Sequence, residues 1–305
     1  MDQTPAEPQE REYFLPEPEK EIQRLTHHDT VIAHAMGNRR VLAPLDMQMT
    51  GLKILDSGTA DGLFLRCLES QLNPPFSLSG FDIMPSFFPS PSSTPSHTTY
   101  AVHDIADPWP PSMHGQYDLV HQRLSLAGGR TTAPRTAIRQ LASCVRSGGW
   151  IQLGEMDARA PVSGGQAMHD SWAVMRAVFV AAGPGADAAG SGARAADAGR
   201  ETGEVWDFAH HMAEWLREDD LGFEDVTEEQ VDVRVGPSCE DREIGELGVR
   251  VLLQSSEAVL KASKLLNADV APAVTDRLLE RLETELREQG AVYRLIFVHG
   301  RKRSS

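Results

Sequence analysis

A short apolar run that ends in an acid is followed at once by a turn of small residues. Residues 54–62 read Ile-Leu-Asp-Ser-Gly-Thr-Ala-Asp-Gly, and an amphipathic stretch begins at Leu63. This order predicts a strand, a tight turn and a helix start, which together form a nucleotide-binding edge in α/β sheets. A pyrophosphate is disfavoured because the Asp61 carboxylate inside the turn would repel it. The small residues permit close backbone approach to a compact ligand, and Asp56 could orient a cationic amine.

Further acids follow the next predicted strands. Residues 78–82 (Leu-Ser-Gly-Phe-Asp) predict a second strand ending in Asp82, about 20 residues after the turn, where a carboxylate can bind ribose hydroxyls. Residues 100–102 form a short strand, followed by Asp104 and Ile105. The carboxyl ends of parallel strands meet at one edge of a sheet, so we expect these side chains to face one ligand.

Five motifs occur in a fixed order along the chain. They are Asp-Ser-Gly-Thr-Ala-Asp-Gly at 56–62, Gly-Phe-Asp at 80–82, His-Asp-Ile at 103–105, Tyr-Asp-Leu-Val-His-Gln-Arg at 117–123 and Ser-Gly-Gly-Trp-Ile-Gln-Leu at 147–153. This series resembles the cofactor motifs of class I S-adenosylmethionine-dependent methyltransferases. The resemblance implies that S-adenosyl-L-methionine is the cofactor and that the fold is α/β, with a seven-stranded, mostly parallel Rossmann-like methyltransferase sheet and a helical cap.

The same resemblance implies where the cofactor binds. The glycine turn would contact its amino-acid part, Asp82 its ribose, and Asp104 with Ile105 its adenine. Ala60 stands where glycine is commoner, and because alanine is the smallest substitute we expect binding to survive. The candidate cofactor-binding residues are Asp56, Ser57, Gly58, Ala60, Gly62, Asp82, Ile83, Asp104, Ile105, His121 and Gln122.

Sequence features that are less specific than the cofactor motifs extend the resemblance over residues 13–300. Tyr-x-Leu-Pro at 13–16, an acidic helix with His27 and His28, and Gly-Gly-Trp-Ile-Gln-Leu-Gly-Glu at 148–155 are similar to the fungal LaeA/UMTA-like methyltransferases of secondary metabolism, and within them to the gliotoxin thiomethyltransferase type. This implies S-methylation of a small-molecule thiol. The alternatives are N- or O-methylation, a LaeA-like regulator that acts through protein partners, and a non-methylating, cofactor-dependent pericyclase.

Methyl transfer is an in-line displacement, so alignment and desolvation can supply most of the rate. An assisting base is still useful, and His121 at the end of the fourth strand is the first candidate because neutral imidazole titrates in the useful range. The alternative is that His121 and its neighbours only shape the pocket. His28 is the second catalytic candidate, and Tyr13, His27 and Arg123 are candidates for binding the substrate.

Metal chemistry has weak support in this sequence. Glu214 lies four residues after His210 and three after His211, a spacing that could seat a metal on one helical face. No third ligand lies nearby in sequence, so a surface cluster is the favoured interpretation. The three cysteines are widely separated and lack Cys-x-x-Cys spacing, which indicates neither a disulfide framework nor a zinc site. We expect no metal.

The charge and the hydrophobic patterning of the sequence limit the classes of partner that the protein can bind. The 305 residues carry a formal net charge of −15, which argues against nucleic acid as a substrate. No apolar run approaches the ~20 residues of a membrane span, and the first residues lack the basic and apolar regions of a signal peptide. We therefore expect a cytoplasmic protein with a small-molecule substrate and no membrane partner, and leave open whether it forms an oligomer.

The organisation expected along the chain begins with a mobile tail at 1–12 and a helical cap at 13–50. The cofactor-binding core follows at 51–182, then a flexible Ala/Gly-rich insertion at 183–203, and the remainder of the sheet with substrate-capping helices at 204–305. Periodicity predicts helices and strands alternating through five parallel strands, then two late strands that form an antiparallel edge. The predicted elements outside the motifs are helices at 19–36, 204–216, 239–253 and 272–289, strands at 223–235 and 291–300, and a proline-rich loop at 85–96.

The helices between 236 and 290, with the N-terminal segment, are placed to roof the substrate cavity. The alternative is that these helices form a dimerisation surface.

Overall fold

The computed structural model describes residues 18–128, 132–182 and 204–304. The expected tail at 1–12, the candidate Tyr13 and the expected insertion at 183–203 lie outside the described residues. The strands are β1 (Leu52–Ser57), β2 (Phe76–Asp82), β3 (Thr98–Val102), β4 (Tyr117–Arg123), β5 (Val145–Met156), β6 (Phe223–Val235) and β7 (Ala291–Lys302).

These strands form one seven-stranded sheet in the order β3-β2-β1-β4-β5-β7-β6. β1 pairs in parallel with β2 and β4, and β4 pairs in parallel with β5. β7 runs antiparallel to both of its neighbours, β5 and β6. The predicted mostly parallel sheet with a late antiparallel edge is confirmed. The order reverses between β1 and β4, which is the point where ligands gather in such sheets.

Helices flank the sheet. They are α1 (Pro18–Ala35), α2 (Leu63–Glu69), α3 (Pro134–Cys144), α4 (Gln166–Ala182), α5 (Glu204–Asp207), α6 (Met212–Leu216), α7 (Arg242–Leu265), α8 (Pro272–Thr275) and α9 (Leu278–Glu288).

Some predicted helices differ from the structure. Regular alternation of strand and helix was expected, but the described connections from β2 to β3 and from β3 to β4 contain only short 3₁₀ turns, at Pro85–Phe87, Pro91–Ser93 and Pro111–Met113. Each of these turns starts with a proline, which removes a backbone donor and favours a short turn over a regular helix. The helix expected at 204–216 is also interrupted, by a 3₁₀ turn at Phe208–His210.

The later helices differ at their ends. α7 runs twelve residues past the predicted end at 253, as far as 265, and its first turn is capped by Asp241, whose carboxylate accepts from the backbone N–H groups of Glu243 and Ile244. The segment predicted as one helix at 272–289 is broken in two where Arg277 adopts a positive φ of 45°. Positive φ is incompatible with a continuing right-handed helix.

α1 belongs to the helical layer formed by α4, α7 and α9. Val31 and Ile32 of α1 are buried in the same apolar cluster as Val249 of α7 and Leu282 of α9. At its outer side, Arg24 donates to the Ser255 hydroxyl of α7 at 3.1 Å. This packing fixes α1 above the carboxyl ends of the central strands. Among the described residues, no helix combines the length and apolarity needed to cross a bilayer.

Candidate active site

A pocket lies at the carboxyl ends of β1, β2 and β4, between the glycine turn and α1. The structure brings most of the predicted cofactor residues together in its wall. Those that line it are Asp56, Ser57, Gly58, Ala60, Asp82, Ile83, Asp104, Ile105 and His121. Gly62 and Gln122, which were also predicted, do not line it.

The turn is built from residues with left-handed backbone conformations. Gly58 has φ of +77°, and a β-carbon there would lie 2.6 Å from the Ser125 β-carbon. Gly62 has φ of +75°, and a β-carbon there would collide with the Tyr100 ring. Gly62 therefore makes room for Tyr100 and does not face the ligand. Ala60 also has a positive φ, of 49°, so its methyl group is carried at some strain.

Asp82 is oriented by the backbone around it. One carboxylate oxygen accepts from the Ala60 N–H at 2.8 Å and the other from the Met84 N–H at 3.0 Å. Burial raises the pKa of Asp82, while these N–H groups act in the opposite direction. A carboxylate has about four acceptor sites, so two hydroxyl groups of a ligand can still be bound.

The residues present fit S-adenosylmethionine, which is positively charged at its amine and sulfonium groups. Asp56, Asp82 and Asp104 place carboxyl groups along the wall. In the same wall the Thr59 hydroxyl is buried without a hydrogen-bond partner among the described residues. A buried polar group without a partner is costly, and a bound ligand would satisfy it.

An aromatic cluster borders the pocket beyond β3. The His103 ring stacks on Trp109 with centroids 3.8 Å apart and an interplanar angle of 11°. Burial lowers the pKa of His103, which favours the neutral ring. His103 lines the pocket directly before Asp104 and Ile105, on the side expected to hold adenine.

The base candidate His121 is held by a carboxylate. Its Nδ1 lies 2.7 Å from Asp56 Oδ1, and both side chains are buried. Phe64, from the first turn of α2, stacks on the imidazole with centroids 3.7 Å apart. An ionised Asp56 requires a proton on Nδ1, which leaves Nε2 as the acceptor nitrogen. Asp56 therefore orients a histidine in addition to any contact with the cofactor.

The roof of the pocket contains an ion-pair network centred on Asp29 of α1. Asp29 accepts from Arg123 at 2.6 Å and from Arg40 at 2.6 Å. Burial alone would raise the pKa of Asp29, but Arg123 and Arg40 outweigh it and lower the pKa. Arg123 ends β4, so this network ties the helical layer to the strand that carries His121.

His28 lies beside this network. Its Nε2 is 3.1 Å from the Tyr293 hydroxyl, and burial together with the Arg24 and Arg123 charges lowers its pKa to about 3. His28 and Arg123 line the pocket, whereas the neighbouring candidate His27 is half-buried and does not. A ring with so low a pKa is neutral near pH 7 and holds a proton weakly.

Several pocket residues were not among the predicted ones. Asp29 and Ser125 reach the pocket through tertiary contacts that no local pattern reveals. Thr59 and His103 are different, because each lies within a recognised motif and adjacent to a predicted residue. Thr59 was detectable from its place in the turn. Among the described residues, no group of three metal-binding side chains is close enough to hold an ion.

The chain is similar to fungal methyltransferases over nearly its whole length. Methyltransferase psoC of Aspergillus fumigatus is 34% identical over 92% of this chain and 94% of its own. N-methyltransferase sirN of Leptosphaeria maculans is 34% identical over 96% of this chain and 95% of its own. No family model matches the chain. A solved structure, phosphoethanolamine N-methyltransferase 2 of Haemonchus contortus with S-adenosylhomocysteine, has a TM-score of 0.49 at 13% identity, covering 93% of this chain and 58% of that one.

The sheet with β7 antiparallel beside β5, together with the pocket at the strand ends, is the arrangement expected for a class I S-adenosylmethionine-dependent methyltransferase. The chain belongs to the family of methyltransferases that includes psoC and sirN. The expected enzyme class and cofactor are thereby confirmed. The narrower LaeA/UMTA-like grouping stays a prediction.

Proposed function

We propose that this enzyme transfers a methyl group from S-adenosylmethionine to a nucleophilic atom of a small molecule of fungal secondary metabolism, with nitrogen as the first candidate acceptor. The observation that carries the proposal is the Asp56–His121 pair at the base of a pocket roofed by α1. The name of the relative sirN, an N-methyltransferase, supports nitrogen.

The bound cofactor would supply an electrophilic methyl carbon on a positively charged sulfur. Attack on that carbon requires a lone pair on the acceptor, so a protonated amine must first lose its proton. His121 can accept that proton at Nε2, because Asp56 holds Nδ1 and stabilises the imidazolium that forms. Phe64 stacked on the ring limits its rotation and keeps bulk water from one face.

The roof would orient the acceptor. Arg123 keeps donor groups beyond those used by Asp29, and it lines the pocket together with His28. The low pKa of His28 makes it a poor base, so we assign it a positioning role as a neutral hydrogen-bonding ring held by Tyr293. Of the two catalytic candidates, the geometry supports His121.

Sulfur is the second candidate acceptor, as the sequence resemblance implied. A thiol has an ordinary pKa near ~8.5 and supplies some thiolate at neutral pH, so its methylation depends less on a base. Loss of His121 should therefore slow methylation of an amine more than methylation of a thiol.

The test uses the full chain with S-adenosylmethionine and a panel of small amines, amides, thiols and phenols, with products read by mass spectrometry. A gain of one methyl group on a nitrogen-containing acceptor supports the proposal. His121→Asn should lower kcat for nitrogen acceptors by about a hundredfold, and less for thiols. His97→Asn is the matched control, because His97 precedes β3 at the opposite end of the sheet and pairs weakly with Glu69 at 3.5 Å.

Other outcomes would refute parts of the proposal. A product of unchanged mass would reject methyl transfer and favour the pericyclase alternative. Turnover confined to thiols would reject nitrogen. Equal loss of cofactor affinity and kcat in His121→Asn would show that His121 shapes the pocket and is not a base.

A further inference from the structure

The proposed reaction does not use the buried carboxyl group of Glu155, which lies behind the pocket wall. Glu155 lies near the end of β5, is 4% exposed, and does not line the pocket. Burial raises its pKa to about 7, and the groups that act on it are N–H donors of the chain, at Leu126, Gln122 and Ser125. A buried acid that meets backbone and amide N–H donors in place of a cation is costly, which suggests that it has a specific role.

Glu155 binds the loop that follows β4. Its Oε1 accepts from the Leu126 N–H at 2.9 Å and from the Gln122 amide at 2.6 Å. The same Gln122 amide lies 3.1 Å from the Ser125 hydroxyl. Leu124 at the start of the loop has a positive φ of 55°, which a leucine adopts only when its surroundings hold it there.

This loop is pressed against the cofactor turn. The Ser125 hydroxyl donates to the Ser57 carbonyl at 3.3 Å. The Ser125 β-carbon is so near Gly58 that a side chain at that glycine would collide with it. Leu124 and Ser125 both line the pocket. A continuous set of contacts thus runs from Glu155 through the loop to the turn.

We propose that Glu155 is a positioning residue for the cofactor: by holding the loop at 124–126 against the Gly58 turn, it fixes the wall that receives the cofactor's amino-acid end. The proposal rests on the cofactor assignment given above. Glu155 does not line the pocket, so in this proposal it acts through Gln122, Ser125 and Leu126. Its loss should therefore weaken cofactor binding more than it slows the chemical step.

Two substitutions of Glu155 test whether its hydrogen bonds to the loop are what supports cofactor binding. Glu155→Gln keeps an acceptor oxygen at the same reach and should leave cofactor affinity within about threefold of the wild type. Glu155→Asp is one methylene shorter and cannot reach Leu126 and Gln122 together. We expect it to raise the dissociation constant for S-adenosylmethionine about tenfold or more, which is the effect of losing one to two hydrogen bonds.

Glu285 offers a matched control. Its carboxylate also accepts from backbone N–H groups, those of Ala167 and Met168 at the start of α4, but it is not part of the pocket wall. Glu285→Asp should lower the melting temperature without changing cofactor affinity. A difference between the two Asp variants shows that the effect at Glu155 is specific to the loop.

The experiment is calorimetric titration of each full-length variant with S-adenosylmethionine, with kcat and KM measured on the same preparations. Weaker binding in Glu155→Asp, recovery in Glu155→Gln and a KM effect larger than the kcat effect support the proposal. Equal affinity in folded Glu155→Asp overturns it, as does a Gln variant that is impaired as strongly as the Asp variant. Should Glu155→Asp not fold, Ser125→Gly removes the loop's contact with Gly58 and the Ser57 carbonyl, and unchanged affinity there overturns the proposal. Wild-type protein that does not bind the cofactor would refute the proposed function itself.

Discussion

Replacement of Asp82 tests the assignment of the cofactor's ribose most directly. The two Asp82 oxygens are aimed by the Ala60 and Met84 N–H groups, and about two acceptor sites remain for ribose hydroxyls. In Asp82→Asn one oxygen becomes an NH₂ group and the negative charge is lost. The variant keeps the size of the side chain, but its NH₂ group cannot accept, so one of the hydrogen bonds from the Ala60 and Met84 N–H groups is lost as well.

The magnitude follows from the bonds that are changed. A hydrogen bond to a charged group contributes about 1.5–3 kcal/mol, and each 1.4 kcal/mol corresponds to about a tenfold change in affinity. Loss of one such bond from Asp82 should raise the dissociation constant about ten- to a hundredfold. Calorimetric titration with S-adenosylmethionine measures this directly, and kcat at saturating cofactor should change less.

Asp46→Asn is the matched control for that experiment. Asp46 likewise accepts the N–H of the residue two positions on, Gln48, at 3.0 Å, but it lies outside the pocket wall. Its replacement should leave cofactor affinity unchanged. An Asp82→Asn variant that binds the cofactor as tightly as the wild type would show that the carboxylate serves only the turn, and the ribose assignment would fail.

Three further changes probe strain, burial and the roof. Ala60→Gly should raise the free energy of unfolding by about 1 kcal/mol in urea denaturation, because glycine adopts a positive φ without the steric strain that the Ala60 methyl group causes. A loss of stability would show that the methyl group is packed favourably. Burial raises the pKa of Glu155 to about 7 in the folded protein, against the ordinary value of 4.5 that we assume for the unfolded chain. The folded protein therefore binds this proton more tightly. The resulting stabilisation is fully present below about pH 4.5 and is lost as pH rises through 7, a change of about 3 kcal/mol. The unfolding free energy of Glu155→Gln minus that of the wild type should therefore be more positive at about pH 8 than at about pH 5, and a constant difference would contradict the raised pKa. Asp29→Asn leaves Arg40 and Arg123 without their shared carboxylate and should lower the unfolding free energy by about 3 kcal/mol, since breaking a buried ion pair leaves charge uncompensated; a change below about 1 kcal/mol would indicate that water screens the network.

The sheet and the base of the pocket were predictable because their signals are local. A strand, a small-residue turn and a helix start were all visible at 54–63, Asp82 ends the next strand, and Asp104 follows the one after it. Parallel strands bring their carboxyl ends to one edge, so spacing along the chain translates directly into position in space. The observed pocket accordingly contains most of the residues expected to hold the cofactor.

The N-terminal segment was expected to roof the pocket, but the ion pairs within that roof were not predictable in the same way. Asp29 and Arg123 are separated by 94 positions, and their contact depends on how α1 packs against α7 and β6. The partnership of Glu155 with Leu126 likewise joins β5 to a loop 29 positions earlier. Periodicity identifies which face of a helix is apolar, but it does not state which distant strand that face meets. The part of the pocket assigned to the acceptor therefore depends on tertiary contacts, whereas the part assigned to the cofactor is built from local motifs.

This division bears on how the enzyme treats its two ligands. The wall predicted to hold the cofactor carries the carboxyl groups of Asp56, Asp82 and Asp104, whereas Arg123, which also lines the pocket, is paired with Asp29 in the roof. Such a wall favours a ligand with net positive charge. Methyl transfer removes the positive charge from sulfur, so the demethylated product loses part of that attraction while keeping its ribose and adenine contacts. We therefore expect the acidic wall to bind the charged donor more tightly than its product, and we expect the roof to select the acceptor.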